Sequence, residues 1–237
     1  MDKRTLIKYI AAFVYGDGGV YKHGNNCRFE ANCTMDHMDY ILWRKSILEN
    51  LTKVNTYELV FKNSANGFKH RKRAMKTYTR THPTYTKVRN RLYLNNRKVF
   101  DPHYLKLFDW ETLAIFFMDD GTCAYTPRHY TKVNGEEMFY NCTPKVSLAT
   151  LSHSYADNWL LKKTIKDNLG IEFNINKHSY SENKKENMYQ LVLRSKDYDT
   201  FVKEVSPFVL PSFMYKIKSV RRTPNSNEKG DEIVQTV

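Results

Sequence analysis

Apolar residues near the start of the chain recur every three to four positions: Leu6, Ile7, Ile10, Ala11, Phe13 and Val14. This spacing predicts an amphipathic helix over 3–15 that stops at "GDGG". The period then changes to two. "GVYK" and "CRFEANC" read as strands joined by the turn "HGNN", with Cys27, Phe29, Ala31 and Cys33 on one face and Arg28, Glu30 and Asn32 on the other. "MDHMDYILWRKSILENL" returns to helical spacing, with Met38, Ile41, Leu42, Leu48 and Leu51 expected inward. "NTYELVFK" and "RAMKTYTRT" predict a second strand pair, and "PTYTKVRNRLYL" a closing helix with Pro83 in its first turn.

The same order then repeats. "DWETLAIFFMDD" predicts a helix capped by Asp109 and ending at Gly121. "TCAYT" and "KVSLATL" are strands separated by a polar stretch, and "SYADNWLLKKTIKDNLG" is a helix from Ser154 and Asp157 to a Gly170 stop. "IEFNINKH", "MYQLVLRS" and "DYDTFVKEVSPFVL" supply a strand pair and a last helix. The expected class is α+β, as two pseudo-symmetric αββαββα halves over 1–100 and 101–218. Residues 219–237 are expected to form a flexible tail.

Composition narrows the partner. The net charge is +13, and from Leu59 to Phe100 there are 12 Lys or Arg and no Asp or Glu in 42 residues. Unbalanced like charges disfavour a compact fold, so a single-sign segment interleaved with aromatics points to an external polyanion, nucleic acid first. No apolar run is long enough for a membrane span. The start lacks the uninterrupted apolar core of a secretory signal. The four cysteines (Cys27, Cys33, Cys123, Cys142) contain no C-x-x-C pair, which argues against zinc and for reduced thiols. An intracellular, soluble protein with no membrane partner is expected.

Each half opens with an apolar helix that ends in an acid and a glycine. Asp17 and Asp120, 103 residues apart, hold equivalent places, so a two-fold arrangement can bring them together. Paired carboxylates repel unless a proton or cation lies between them, and free carbonyls at helix C-termini add negative potential. Both favour a hard divalent ion. Beside nucleic acid, the chemistry expected is metal-assisted phosphodiester hydrolysis.

"IAAFVYGDG" (10–18) and "LAIFFMDDG" (113–121) resemble the two motifs of a LAGLIDADG homing endonuclease, closest to the monomeric, intron-encoded branch, over about residues 5–218. The resemblance implies motif helices packed at the centre and two antiparallel four-stranded sheets forming a DNA-binding saddle. It implies a double-strand break in a long non-palindromic site, leaving short 3′ overhangs. The catalytic, metal-binding acids fall on Asp17 and Asp120, and Ala11 and Ala114 occupy the small positions where the helices approach. Gly16 and Asp119, one residue earlier, join the implied metal set, although Asp119 reads as an exposed second acid rather than a primary ligand. Tyr15 and Met118 depart from the motif's first acid. "LNNRKV" and "PSFMYKI" place Lys98 and Lys216 where such enzymes carry a basic residue near the metals.

The implied cofactor is Mg²⁺ or Mn²⁺, two or three ions shared by the two acids, with Ca²⁺ supporting binding but not cutting. The implied partner is about 20 base pairs of duplex DNA bound by one chain, from strand lengths of ~33 Å per half at ~3.3 Å per residue. Expected DNA contacts are Arg28, Glu30, Asn32, Lys72, Lys76, Tyr78 and Arg80, then Lys145, Ser147, Asn174, Asn176, Lys177, Gln190 and Arg194. A one-residue register slip would reverse each set. An RNA maturase and a non-cutting DNA-binding regulator are the competing classes.

Overall fold

The computed structural model of the chain describes residues 1–59, 73–125, 128–135, 137–140, 143–182 and 186–217. Lys72, with the rest of 60–72 in the basic segment, and the expected tail lie outside the described residues. None of the described helices is long and apolar enough to cross a membrane.

Helix α1 spans Lys3–Tyr15, and its first turn is capped by the Asp2 carboxylate, which accepts from the Arg4 and Thr5 N–H groups at 2.8 and 3.0 Å. Strands β1 (Gly19–His23) and β2 (Asn26–Thr34) follow, then α2 (Met38–Leu48), β3 (Val54–Leu59), β4 (Ala74–Thr79) and α3 (Pro83–Leu92). A two-strand hairpin, β5 (Tyr93–Leu94) and β6 (Arg97–Lys98), and a short helix α4 (Pro102–Leu105) connect the halves. The second half runs α5 (Trp110–Asp120), β7 (Gly121–Ala124), β8 (Arg128–Thr131), β9 (Glu137–Tyr140), β10 (Lys145–Leu148), α6 (Tyr155–Leu169), β11 (Phe173–Ser181), β12 (Glu186–Leu193) and α7 (Tyr198–Val205).

The repeat is visible in the sheets. Both four-stranded sheets are antiparallel, ordered β1-β2-β4-β3 and β7-β10-β12-β11, which is the same topology once each half is counted from its motif helix. Helix α5 is buried at every position from Thr112 to Met118, so it is apolar all round and sits inside the molecule rather than on it. Helix α1 packs against it, with Ile10, Ala11, Ala12, Phe13 and Val14 buried. Near the N-termini, Lys8 Nζ reaches Asp109 at 2.8 Å and Glu111 at 2.7 Å, and the Tyr9 hydroxyl donates to Glu111 at 2.6 Å. These bonds fix the pair in axial register.

Four local expectations need correction. The polar stretch before β10 contains the β8–β9 hairpin. The third helix ends at Leu92, because the chain turns back through Asn95 (φ 50°) and Asn96 (φ 63°), a left-handed pair that fits a two-residue hairpin turn. The last helix stops at Val205 and continues as a 3-10 turn over Ser206–Phe208. Leu42, expected inward, is 57% exposed, whereas Tyr40, Ile41, Arg44, Ile47 and Leu48 form the buried stripe of α2. An isoleucine next to a leucine leaves the phase open by one residue, and a charged Arg44 hid the true stripe.

Gly18 is where the first motif turns into its sheet. A Cβ there would lie 2.5 Å from the Phe13 carbonyl oxygen and 2.6 Å from the Phe29 ring. Gly18→Ala should therefore cost about 1–3 kcal/mol through forced displacement of the turn. Urea unfolding measures it, and an unchanged midpoint would contradict the packing described.

Candidate active site

The two motif helices deliver their acids to one cleft. Tyr15, Gly16, Asp17, Lys98, Asp120, Ala149, Leu151, Ser152 and His153 line a cavity of about 340 Å³. Asp17 lies just past α1, after the Gly16 cap, and Asp120 is the last residue of α5. Its carbonyl accepts from Ala149 N–H at 2.8 Å, which ties the end of α5 to the loop after β10.

Electrostatic strain is concentrated here. Burial pushes the Asp120 carboxyl up to about 7, and repulsion from Asp17 and Asp119 adds to this, while Lys98 and Lys216 oppose it. Asp17 is open to solvent at the cleft, yet surrounding protein still displaces enough water to raise its pKa, against the pull of Arg44, Lys98 and Lys216. Burial lowers both lysines, and the three acids partly restore them.

Each lysine also closes a helix end. Lys98, brought in by the β5–β6 hairpin, donates to the Gly16 carbonyl at 2.5 Å. Lys216, in the 3-10 turn Pro211–Lys216, donates to the Met118 carbonyl at 2.6 Å. Orphan carbonyls at a C-terminus are good partners for a cation. The hairpin is itself anchored to the second half, because Arg97 pairs with Glu186 at 2.9 Å and Phe100 stacks on His153 with ring centres 4.2 Å apart.

The Gly16 carbonyl, grouped by sequence with the metal set, is thus engaged by Lys98, with one lone pair left. Asp119 is not an exposed bystander. It is half-buried, and its Oδ2 accepts from the Asp17 N–H at 3.1 Å. Burial pushes its carboxyl up to about 6, opposed most by the Arg44 charge.

The polar sheet faces carry most of the other expected residues. Glu30 bridges Arg28 at 2.7 Å and Lys76 at 2.5 Å, and the Arg28 guanidinium lies 5.2 Å from the Tyr78 ring centre. Asn32 and Arg80 are exposed. In the second sheet Lys145, Asn174 and Asn176 are exposed, while Ser147 and Gln190 are half-buried. Lys177 departs from this set. It pairs with Tyr189, one residue out of phase with the Asn176–Gln190 pair, so it lies on the opposite sheet face. Arg194 lies beyond β12 and is held by Glu172.

Sequence reasoning missed Arg44, Tyr40 and His153. Burial pushes His153 down to about 4, so it is neutral where it lines the cleft. No short motif marks these three, since they reach the centre from α2 and from the loop after β10.

Fold and site define a protein with two like halves and one shared carboxylate–lysine centre. The chain belongs to the LAGLIDADG DNA endonuclease family, whose model matches residues 11–201, and it is a DNA endonuclease. Its fold is similar to the homing endonuclease I-WcaI bound to its DNA recognition sequence, at 17% identity over 91% of this chain and 86% of that one, with a TM-score of 0.67. It is also similar to the I-SmaMI LAGLIDADG homing endonuclease bound to cleaved DNA, at 10% identity over 89% and 86% of the chains, with a TM-score of 0.51. No curated protein sequence matches the chain.

The donors fit a hard divalent cation. Two carboxylates supply oxygen, and burial raises the pKa of both, with repulsion from Asp17 and Asp119 adding to it at Asp120. Among the described residues no group of three His, Cys, Asp or Glu could enclose an ion.

A pH dependence follows. The folded state holds the Asp120 proton more tightly than the unfolded chain, so between its ordinary 3.8 and about 7 this group makes the metal-free protein less stable as pH rises. A bound cation must displace that proton. Added Mn²⁺ should raise the melting temperature at about pH 8 and do so far less at about pH 5.5. A shift of equal size at both would place the ion elsewhere.

Proposed function

We propose that the chain makes a double-strand break in a long, non-palindromic DNA site by divalent-metal-assisted hydrolysis, leaving short 3′ overhangs. The observation that carries this reading is the meeting of Asp17 and Asp120, one from each motif helix, in a single cleft with Lys98. The half over 1–100 and the half over 101–218 each supply one acid, one lysine and one sheet, so a single chain suffices.

Asp17 and Asp120 would hold the metal, Mg²⁺ or Mn²⁺, with Ca²⁺ supporting binding alone. The ion supplies a polarised water and neutralises charge on the phosphate. Lys98 and Lys216 sit within reach of the three acids' charge, with side chains partly stripped of water. Both are placed to stabilise negative charge that grows on phosphate oxygens or to order the attacking water. The pseudo-two-fold gives each DNA strand an acid and a lysine of its own.

DNA would lie on the two polar sheet faces. The Arg28–Glu30–Lys76 network holds its side chains in place before binding, which lowers the ordering cost of base readout. Exposed Asn32, Arg80, Lys145, Asn174 and Asn176 add donors for bases and phosphates.

Cleavage selection from a randomised duplex library would supply a substrate. On it, Asp17→Asn and Asp120→Asn should each lower double-strand cutting by at least ~100-fold, by analogy with the loss of other transition-state electrostatic groups. Affinity measured in Ca²⁺ should stay within a few-fold, and should fall with salt at a log–log slope of about −0.9 per neutralised phosphate. An Asp120→Asn variant cutting at the wild-type rate would remove the metal-site assignment. Tight duplex binding by a wild-type chain that never cuts would favour the regulator, and preference for a structured intron RNA the maturase.

A further inference from the structure

The two lysines of the centre ride on segments that are fastened to the opposite half, and the fastenings repeat. His37 stands just before α2 and His153 just before α6, and each is followed six residues later by a tryptophan, Trp43 and Trp159. The two histidines therefore hold equivalent places in the duplicated order, at the turn into the second helix of each half.

Each histidine lies flat on a phenylalanine from the other half. His37 stacks on Phe213 with ring centres 3.8 Å apart and planes 16° apart, and His153 stacks on Phe100 at 4.2 Å and 17°. Phe213 is three residues from Lys216, and Phe100 is two from Lys98. Both phenylalanines are buried, and the Lys216 ammonium lies 5.3 Å from the centre of the Phe213 ring. In a close-packed interior neither ring can shift without carrying its lysine along.

A charge-assisted backbone bond accompanies each stack. Asp39, in the first turn of α2, accepts from the Ser212 N–H at 3.0 Å. Asp157, in the first turn of α6, accepts from the Phe100 N–H at 3.3 Å. Beside Phe213, His37 Nδ1 and the Ser212 hydroxyl are also 3.1 Å apart. His153 Nδ1 is buried and makes no hydrogen bond among the described residues, so that ring is held through its face, and Arg97–Glu186 adds the second tie. His37 does not line the cleft that holds Asp17 and Asp120, so its influence there must pass through the Lys216 segment.

We propose that two reciprocal latches, His37 with Asp39 on the Lys216 segment and His153 with Asp157 on the Lys98 segment, position the two lysines, so that each half sets the lysine of the other. His37, Asp39, His153 and Asp157 are positioning residues here, acting through Lys216 and Lys98. Each latch then governs the cutting of one DNA strand. The inference rests on the nuclease reading above.

The test uses the selected duplex labelled separately on each strand, with Lys216→Met and Lys98→Met identifying the strand that each lysine serves. His37→Ala should slow the Lys216 strand by about 10–100-fold and the other by less than about threefold, and His153→Ala should do the reverse. His37→Phe and His153→Phe keep a flat ring against the partner and should regain most of the lost rate. Added to Lys216→Met, His37→Ala should cost less than about twofold more, because a residue that acts through the lysine has nothing left to position. His153→Ala added to Lys98→Met should behave alike. Asp39→Ala, which removes the acceptor of the Ser212 N–H, should slow the same strand as His37→Ala and carries the comparison if that variant does not fold. Affinity in Ca²⁺ should stay within a few-fold throughout. Equal slowing of both strands, or losses that multiply in the combined variants, would overturn the latches while leaving the nuclease reading intact. A wild-type chain that cuts neither strand would overturn the nuclease reading itself.

Discussion

Two packed helices bring carboxylates together at or just past their C-termini, an arrangement that electrostatics alone opposes. Helix C-termini already carry partial negative charge, and Asp17, Asp119 and Asp120 add three acids to it. Apolar burial holds the pair together, since α5 is enclosed from Thr112 to Met118 and α1 covers it with Ile10 to Val14. Three cations, Arg44, Lys98 and Lys216, then gather around the acids. Burial first, and then repulsion among the acids, raises the Asp119 and Asp120 carboxyls to about 6 and about 7. The divalent ion proposed above would relieve that repulsion.

The lysines show how the surrounding elements meet this demand. Neither belongs to a motif helix, yet each caps carbonyls at the end of one. Lys98 depends on two asparagines in left-handed conformation and on Arg97 and Phe100, which reach across to the second half. Lys216 depends on a 3-10 turn that is pinned to α2 by Ser212 N–H donating to Asp39 at 3.0 Å. Both halves therefore contribute to keeping the centre closed, in addition to supplying its acids.

The sequence made the repeat legible because each motif, strand and cap leaves a local signal. Asp109 as an N-cap, the Ser154–Asp157 capping box and the Gly170 stop appear as the residues suggest. Asp17, Asp120, Lys98 and Lys216 converge because the duplicated order implies convergence. What stayed hidden depends on tertiary contact. Arg44 is buried only once α2 is packed, and Asp119 reads as a surface acid until α5 is set beside Gly16 and the Asp17 N–H. The phase of α2 was misread at Leu42 for the same reason. Lys177 directly follows Asn176, so strand alternation alone puts the two on opposite faces of β11, and grouping them is inconsistent with that period.

The most direct test is anomalous diffraction from Mn²⁺ in crystals of the chain bound to its selected DNA duplex. The account predicts manganese at the crossing of α1 and α5, with carboxylate oxygens of both Asp17 and Asp120 at coordination distance, roughly 2.0–2.3 Å. Manganese found away from this crossing, or held in place with neither acid as a ligand, would contradict it.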